Sequence, residues 1–261
     1  MARSLSGLHV LVTGASSGIG ATLAQRLATE GAIVALCARR ADRLDEVLTR
    51  CREHQPACER YVVDLEQPEQ VDALAAWSLG EFGGVDVLVN NAGIPKRRLV
   101  TALDQATVER VMRVNFLSAT QLTLALLPQL VERRGEIVDI SSVAAVLSSP
   151  GEAAYDASKA ALSVWSEAMA VDLWDTGVRI HVVYPGIVDT ELFEIPDNDV
   201  LDSGIEPIPA SDIADAVLAM LGTDQVQVFV PDYFAEIATG KASNVQGFVE
   251  GAAAWVRDRR T

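Results

Sequence analysis

From residue 8 to about residue 230, short apolar runs alternate with longer stretches whose apolar residues recur at helical spacing. The runs at 8–13, 32–37, 61–63, 85–89, 136–140, 179–183 and 226–230 read as strands. Most are near-continuous Val, Ile and Leu rather than strict alternations, the pattern of strands covered on both faces. The segments between them, 19–30, 42–53, 68–82, 104–133, 153–175 and 211–221, are each long enough for a crossover helix. Repeated strand–helix–strand order predicts an α/β fold: a doubly wound, mostly parallel seven-stranded sheet with helices on both faces. No linker-like stretch interrupts the rhythm, so residues 1–261 read as a single domain.

Two segments depart from that rhythm. Residues 190–210 form a long connection after the sixth strand, and connections of that length often cover binding sites. The C-terminal extension, 231–261, ends in a predicted helix whose start, Ser243-Asn244-Val245-Gln246, fits a capping box. Its Val245, Phe248, Val249, Ala252 and Val256 share one helical face, although Gly247 and Gly251 weaken the helix. Packing of that face against the domain or a partner subunit is the expectation.

Composition narrows the function classes. With 261 residues, 49% hydrophobic and 22% charged, the chain has enough apolar surface to offset the entropy of ordering, which excludes a disordered tail protein. Its 18 Gly and 10 Pro are dispersed without a period, which excludes a collagen-like or low-complexity chain. The balance of 21 Lys and Arg against 36 Asp and Glu, a net charge of −15, opposes nucleic-acid binding, which needs clustered cations facing phosphates. The most apolar stretch, 116–131, is broken by Ser118, Thr120, Gln121, Thr123, Pro128 and Gln129 and reads as a buried helix, so no membrane partner is expected. The N-terminal residues show no signal-peptide cleavage pattern. Cys37, Cys51 and Cys58 are odd in number and lack metal-ligand spacing; they read as reduced thiols of a cytoplasmic protein with no metal site.

Candidate chemistry begins after the first strand, at Thr13-Gly14-Ala15-Ser16-Ser17-Gly18-Ile19-Gly20, which opens directly into a helix. Glycines there allow a tight turn and close approach of backbone N–H groups to phosphate oxygens, and the helix N-terminus favours negative charge. A strand-to-helix turn also uses Gly for conformation alone, so position carries the inference. The end of the second strand then separates the dinucleotides. A carboxylate there would bond the ribose 2′-hydroxyl of NAD; this chain has Arg39 and Arg40 instead, a guanidinium pair suited to the 2′-phosphate of NADP. The other reading is a solvated basic helix start, with Arg43 belonging to the surface.

Further along lie Asn90-Asn91-Ala92-Gly93 after the fourth strand, Asn115 inside the long helix that follows, Ser141-Ser142 after the fifth strand, Tyr155 and Lys159, and Pro185-Gly186 after the sixth. Apart from Asn115, each motif falls at a strand end or opens the next helix, in an order that a lone Tyr-x-x-x-Lys would not specify. In this ordered set the chain resembles the short-chain dehydrogenase/reductase family, over residues 7 to about 230. The resemblance implies a Rossmann fold and hydride transfer between NADP(H), with NAD less favoured, and a ketone or secondary alcohol. It implies Tyr155 as acid/base, with Lys159 lowering the phenol pKa and holding the nicotinamide ribose, Ser142 bonding the substrate oxygen, and Asn115 holding a water that relays protons to Lys159. It places Gly14, Ser16, Ser17, Gly18, Ile19 and Gly20 at the pyrophosphate, and Asp64 and Leu65 beside the adenine. It also places Asn91, Ala92 and Gly93 at the adenosine ribose, and Pro185, Gly186, Val188 and Thr190 at the nicotinamide. A tyrosine serves as acid/base when its pKa falls from about 10 toward working pH, and Lys159, four residues on, shares its helical face. Some NADP-preferring relatives carry a basic residue where Ser17 stands, so the 2′-phosphate role leans on Arg39, helped by Arg40 and Ser16.

The connection from 191 to 206 offers Leu192, Phe193, Ile195, Val200, Leu201 and Ile205 as apolar lining. Its acidic residues, Glu191, Glu194, Asp197, Asp199, Asp202 and Glu206, come with no Lys or Arg and would repel phosphorylated, CoA-linked or carrier-bound substrates. A neutral, fairly apolar carbonyl or alcohol is therefore the expected small-molecule partner. A 3-oxoacyl-thioester reductase and a non-catalytic NADP-binding protein are the alternatives, and the loop could also be merely solvent-facing. By resemblance, the helices 104–133 and 153–175 would form a homotetramer or homodimer interface.

Overall fold

The computed structural model describes residues 4–199 and 204–258. Seven strands, β1 (His9–Thr13), β2 (Ile33–Ala38), β3 (Glu59–Val62), β4 (Val87–Asn90), β5 (Glu136–Ile140), β6 (Arg179–Pro185) and β7 (Gln227–Val230), form one sheet. Its order is β3-β2-β1-β4-β5-β6-β7, with every pairing parallel. Successive residues of a strand face opposite ways. Val10, Val12, Val34 and Leu36 enter a core shared with Leu23, Leu27 and Val217, while Leu11, Ala35 and Cys37 enter a second core with Leu74, Leu122 and Leu126. Both faces of the central strands are dry, which is why their sequences read as unbroken apolar runs.

The helices are α1 (Gly18–Thr29), α2 (Ala41–Arg52), α3 (Pro68–Leu79), α4 (Gln105–Met112), α5 (Ser118–Arg133), α6 (Ala144–Leu147), α7 (Ala153–Asp172), α8 (Ala210–Met220), α9 (Phe234–Ser243) and α10 (Val245–Asp258). Residues of α1, α2 and α8 fill the first core; residues of α3, α5 and α7 fill the second. By length and mean hydropathy the run Gln105–Arg133 could cross a membrane, yet here Leu122, Leu126 and Leu130 are buried in the second core. The exposed sides of α5 and α7 carry Leu124, Val164 and Val171.

Three expectations need correction. The segment 104–133 is not one helix: Asp104 caps α4 by accepting from the Thr107 N–H (2.7 Å), and a π-helical turn, Arg113–Leu117, separates α4 from α5. Asn115 sits in that widened turn, where its side chain bonds a neighbouring loop rather than running along a regular helix face. The fourth strand starts at Val87 instead of residue 85 because the Val85 N–H is taken by the Gln129 side chain (2.8 Å). The last helix is capped by Asn244, which accepts from the Gly247 N–H (3.0 Å), whereas the Ser243 hydroxyl donates back to Thr239 at the end of α9.

β1 has β2 on one side and β4 on the other, so the chain reverses its direction of travel across the sheet at this point. Open α/β sheets bind ligands in the crevice outside the carboxyl ends of strands at such a reversal. Above that crevice the connection after β6 is anchored at both ends. A Val188–Ile208 bridge closes its base, and Lys96 and Arg98, from the segment after β4, hold Asp197 at 2.7 and 2.6 Å. Val200, Leu201 and Asp202 lie outside the described residues, as do the side chains of Phe193 and Glu194. Lys241 ties α9 to the α6 region through the Val146 carbonyl and Ser148 hydroxyl, both at 2.6 Å.

Candidate active site

The floor of the crevice is a knot of bonds between the ends of β1 and β4. The Thr13 hydroxyl donates to the Val89 carbonyl (3.2 Å) and accepts from the N–H groups of Asn91 and Ala92 (3.0 and 3.1 Å). Gly14 turns the chain at φ +68°, and a Cβ there would lie 2.8 Å from the Ala92 Cα. Only glycine satisfies both the left-handed backbone and the close approach of the two strand ends. Ser17 stands at the N-cap of α1 without a side-chain capping bond, and Ser17, Gly18 and Ile19 line the crevice where that helix begins. Together with the glycine turn they suit an anionic ligand such as a dinucleotide pyrophosphate.

One cavity of about 1210 Å³ collects nearly all the sequence-predicted residues. Gly14, Ser16, Ser17, Gly18 and Ile19 line one end, with Arg39, Arg40, Asp64 and Leu65 beside them. Asn91, Ala92 and Gly93 line the middle, with Pro185, Gly186, Val188 and Thr190. Ser142, Tyr155 and Lys159 line it as well. Gly20 and Asn115 do not. A Cβ at Gly20 would lie 2.5 Å from the Gly14 carbonyl oxygen, which marks Gly20 as a packing glycine beneath the turn. Asn115 lies behind Gly93: its Oδ1 accepts from the Ile94 N–H (2.8 Å), and its Nδ2 donates to the Ile94 carbonyl and the Ser158 hydroxyl, both at 3.0 Å. A Cβ on Gly93 would sit 3.4 Å from Asn115 Oδ1 and 3.5 Å from Lys159 Nζ, so the two side chains approach the same small glycine.

α7 presents Tyr155 and Lys159 one turn apart. Lys159 is 3% exposed; its ammonium donates to the Ile140 carbonyl at the end of β5 (2.7 Å) and lies 5.9 Å from the Tyr155 ring centroid. Burial pushes its pKa down to about 8, opposed by the buried Asp139 carboxylate. Ser142 lines the cavity with Tyr155, and its side chain favours the ionised phenol. Ser141, by contrast, turns its hydroxyl inward to the Ser163 hydroxyl (2.7 Å) and the Lys159 carbonyl (3.2 Å). The expectation that Lys159 makes the phenol acidic needs correction for the protein's own charges. Burial raises the Tyr155 pKa and the neighbouring carboxylates of Glu152 and Asp156 add to it, outweighing the lowering influence of Ser142 and Arg97. At neutral pH Tyr155 therefore carries its proton.

The basic cluster of the cavity keeps the Arg39 and Arg40 of the sequence expectation and adds Arg43. Arg39 is exposed and makes no hydrogen bond or ion pair among the described residues. Arg40, at the N-cap of α2, reaches across the glycine turn to the hydroxyls of Ser16 (3.2 Å) and Ser17 (2.7 Å). Arg43, which the sequence left to the surface, also lines the cavity, and its guanidinium joins that of Arg40 on Glu191 at 2.9 and 3.1 Å. Its spacing, three residues after Arg40 in the first turn of α2, was the available signal.

The acidic loop is likewise not a bare negative rim. Glu191 is held by Arg40 and Arg43, and Asp197 by Lys96 and Arg98, so two of its acidic side chains are paired with partners distant in sequence. Its repulsion of anionic substrates is correspondingly weakened. Two buried polar groups that sequence reasoning missed, Arg97 and Glu152, line the cavity near Tyr155, and the Arg97 Nε donates to the Asp199 carbonyl (2.9 Å). Apolar lining comes from Leu147, Leu192, Ile195 and Phe234, and from α10 through Phe248, Ala252 and Trp255. Trp255 was also missed. Gly247, Gly251 and Trp255 recur at four-residue spacing and share the cavity-facing side of α10, whereas Val245 and Val249 are exposed.

The sequence profile of the short chain dehydrogenase family matches residues 8–199. An 11-beta-hydroxysteroid dehydrogenase 1A of Arabidopsis thaliana is 35% identical over 247 residues, covering 89% of this chain and 70% of the plant protein. A solved short-chain dehydrogenase from Streptomyces avermitilis superimposes with a TM-score of 0.82 at 29% identity, covering 98% of this chain and 99% of the other. A short-chain dehydrogenase from Sphingobium yanoikuyae, solved in complex with NADPH, gives 0.81 at 29% identity over 93% and 95% of the two chains. The parallel seven-stranded sheet, the motif order along it and these likenesses agree: the chain belongs to the short-chain dehydrogenase family and is an oxidoreductase.

Proposed function

We propose that the protein interconverts a bulky, uncharged, largely apolar ketone and its secondary alcohol, using NADP(H). The observation that carries this reading is the position of Tyr155. It sits in one continuous cavity whose near end is the glycine turn and whose far end is the apolar roof of Ile195, Phe234, Phe248 and Trp255. A bound nicotinamide supplies or accepts the hydride. The chain handles the proton. Tyr155, protonated at neutral pH, donates it to a carbonyl oxygen, and the Ser142 hydroxyl, which lines the same cavity, holds that oxygen. Lys159, with its pKa near 8, lies beneath the ring and opposes negative charge as the proton leaves.

NADP over NAD is supported by Arg40 and Arg43 beside Ser16 and Ser17, by the lack of a carboxylate at the end of β2, and by NADPH in the Sphingobium relative. Bulk and low polarity of the substrate are supported by the roof residues, and the plant relative is described as a hydroxysteroid dehydrogenase. The test is a panel of alicyclic ketones, small aliphatic ketones and acyl thioesters, followed by NADPH absorbance with NADH as control. The expected result is turnover of bulky ketones with NADPH. Preference for thioesters would replace this reading with the thioester reductase, and tight NADPH binding without turnover of any substrate would favour a non-catalytic protein.

A further inference from the structure

The start of the roof and the basic cluster of the cofactor end are joined by a single side chain. Glu191 opens the short turn Glu191–Glu194 and follows Thr190, whose side chain lies directly over Gly18 of the glycine turn. Its two carboxylate oxygens accept from different guanidinium groups, Oε2 from Arg40 (3.1 Å) and Oε1 from Arg43 (2.9 Å). The Arg40 guanidinium also donates to the Ser16 and Ser17 hydroxyls. Two cations thus converge on one carboxylate, one of them also bonded to two hydroxyls, and all five residues line the cavity. The two guanidinium groups hold the Glu191 pKa below the usual carboxylate range, so the latch is ionic at neutral pH. All three charged side chains remain more than 40% exposed, which keeps the pairing weak and readily exchanged.

The geometry points to Glu191 as a specificity-determining latch: its carboxylate occupies the anion site that a nucleoside 2′-phosphate would take, so that 2′-phosphorylated ligands displace it while non-phosphorylated ones leave it closed. The inference rests on the NADP reading and deepens it. A carboxylate and a phosphate both accept bonds from the planar guanidinium fork, and the same arginine pair cannot fully serve both at once. Release of Glu191 frees the first residue of the substrate-covering segment, so arrival of the phosphate is coupled to loosening of the roof. Without the phosphate, Arg40 and Arg43 keep the roof tied to the glycine turn.

The test is calorimetric titration of 2′,5′-ADP and 5′-AMP into the wild-type protein and Glu191→Gln at low salt. The variant is expected to bind 2′,5′-ADP about 3- to 10-fold more tightly, the scale of losing one exposed ion-pair competitor, with 5′-AMP changed by less than about twofold. In the wild-type protein, amide hydrogen exchange over residues 190–199 is expected to rise with 2′,5′-ADP and not with 5′-AMP. Unchanged or weaker 2′,5′-ADP binding by the variant, or exchange indifferent to the 2′-phosphate, overturns the latch while leaving NADP preference intact. Equal wild-type affinity for the two nucleotides overturns the NADP reading and the latch with it.

Discussion

The floor and the roof of the cleft are held together by different physics. On the floor, Lys159 is 3% exposed and Asn115 1%, and both are fastened by bonds to strand ends and main-chain groups of the core. In the roof, Ile195 is 39% exposed and Trp255 37%, and the fastenings are ion pairs on an exposed carboxylate, Asp197 with Lys96 and Arg98. A proton donor needs placement within a fraction of an ångström, which only a buried and fully bonded frame supplies. A surface that selects among substrates gains from partial exposure, because weakly held elements can rearrange around ligands of different shape.

The sharpest break of that contrast is at the phenol. Tyr155→Phe removes only an oxygen from the floor, and kcat should fall by about 10³-fold or more while NADPH affinity stays within about twofold. Stopped-flow absorbance and fluorescence titration read the two quantities. Turnover near wild type would remove Tyr155 from the chemistry.

Next in size is a matched pair of truncations. Leu126, fully buried in the second core, should cost about 2–5 kcal/mol of stability when changed to Ala. Trp255→Ala in the roof should cost under about 1 kcal/mol and instead raise KM several-fold for apolar ketones, because its face lines the cavity. Urea denaturation and steady-state kinetics compare them. Equal stability losses would show that the roof belongs to the cooperative core.

The last effect is one of pH, at a carboxyl that follows the phenol in the chain. The Asp156 carboxyl has an oxygen, Oδ1, that is buried and unbonded among the described residues, and burial with the adjacent Glu152 pushes its pKa up to about 8. A raised carboxyl pKa means that the folded protein binds the extra proton between about pH 4 and pH 8, so stability from this group is present at low pH and lost as pH rises through 8. Asp156→Asn should therefore be more stable than wild type at pH 8 and lose that advantage toward pH 4. Melting temperatures across that range give the slope, and parallel curves would refute the assignment.

The floor was legible in the chain because its requirements are local. Gly14 must take a left-handed φ, Tyr155 and Lys159 must share one helical face, and the motifs must fall at the ends of apolar runs. The same legibility failed where a side chain's role depends on a distant partner. Arg43 and Glu191 lie 148 residues apart, and neither announces the other. The interruption at Arg113–Leu117 was also hidden, since a π turn needs no glycine or proline and its apolar pattern still reads as helix. Gly247 and Gly251 were read as weakness in α10, when their spacing instead marks the side of the helix that faces the cavity.

The chain alone determined the parallel doubly wound sheet, the strand ends that carry the motifs and the tyrosine–lysine pair, because hydrophobic period and turn chemistry are encoded in neighbouring residues. Tertiary structure alone decided the electrostatics. It turned an expected acidic phenol into one held protonated by burial and by Glu152, set Arg43 beside Arg40 on Glu191, and paired Asp197 of the acidic loop with Lys96 and Arg98. Charge acts through space and solvent exposure, and neither is written in the order of residues.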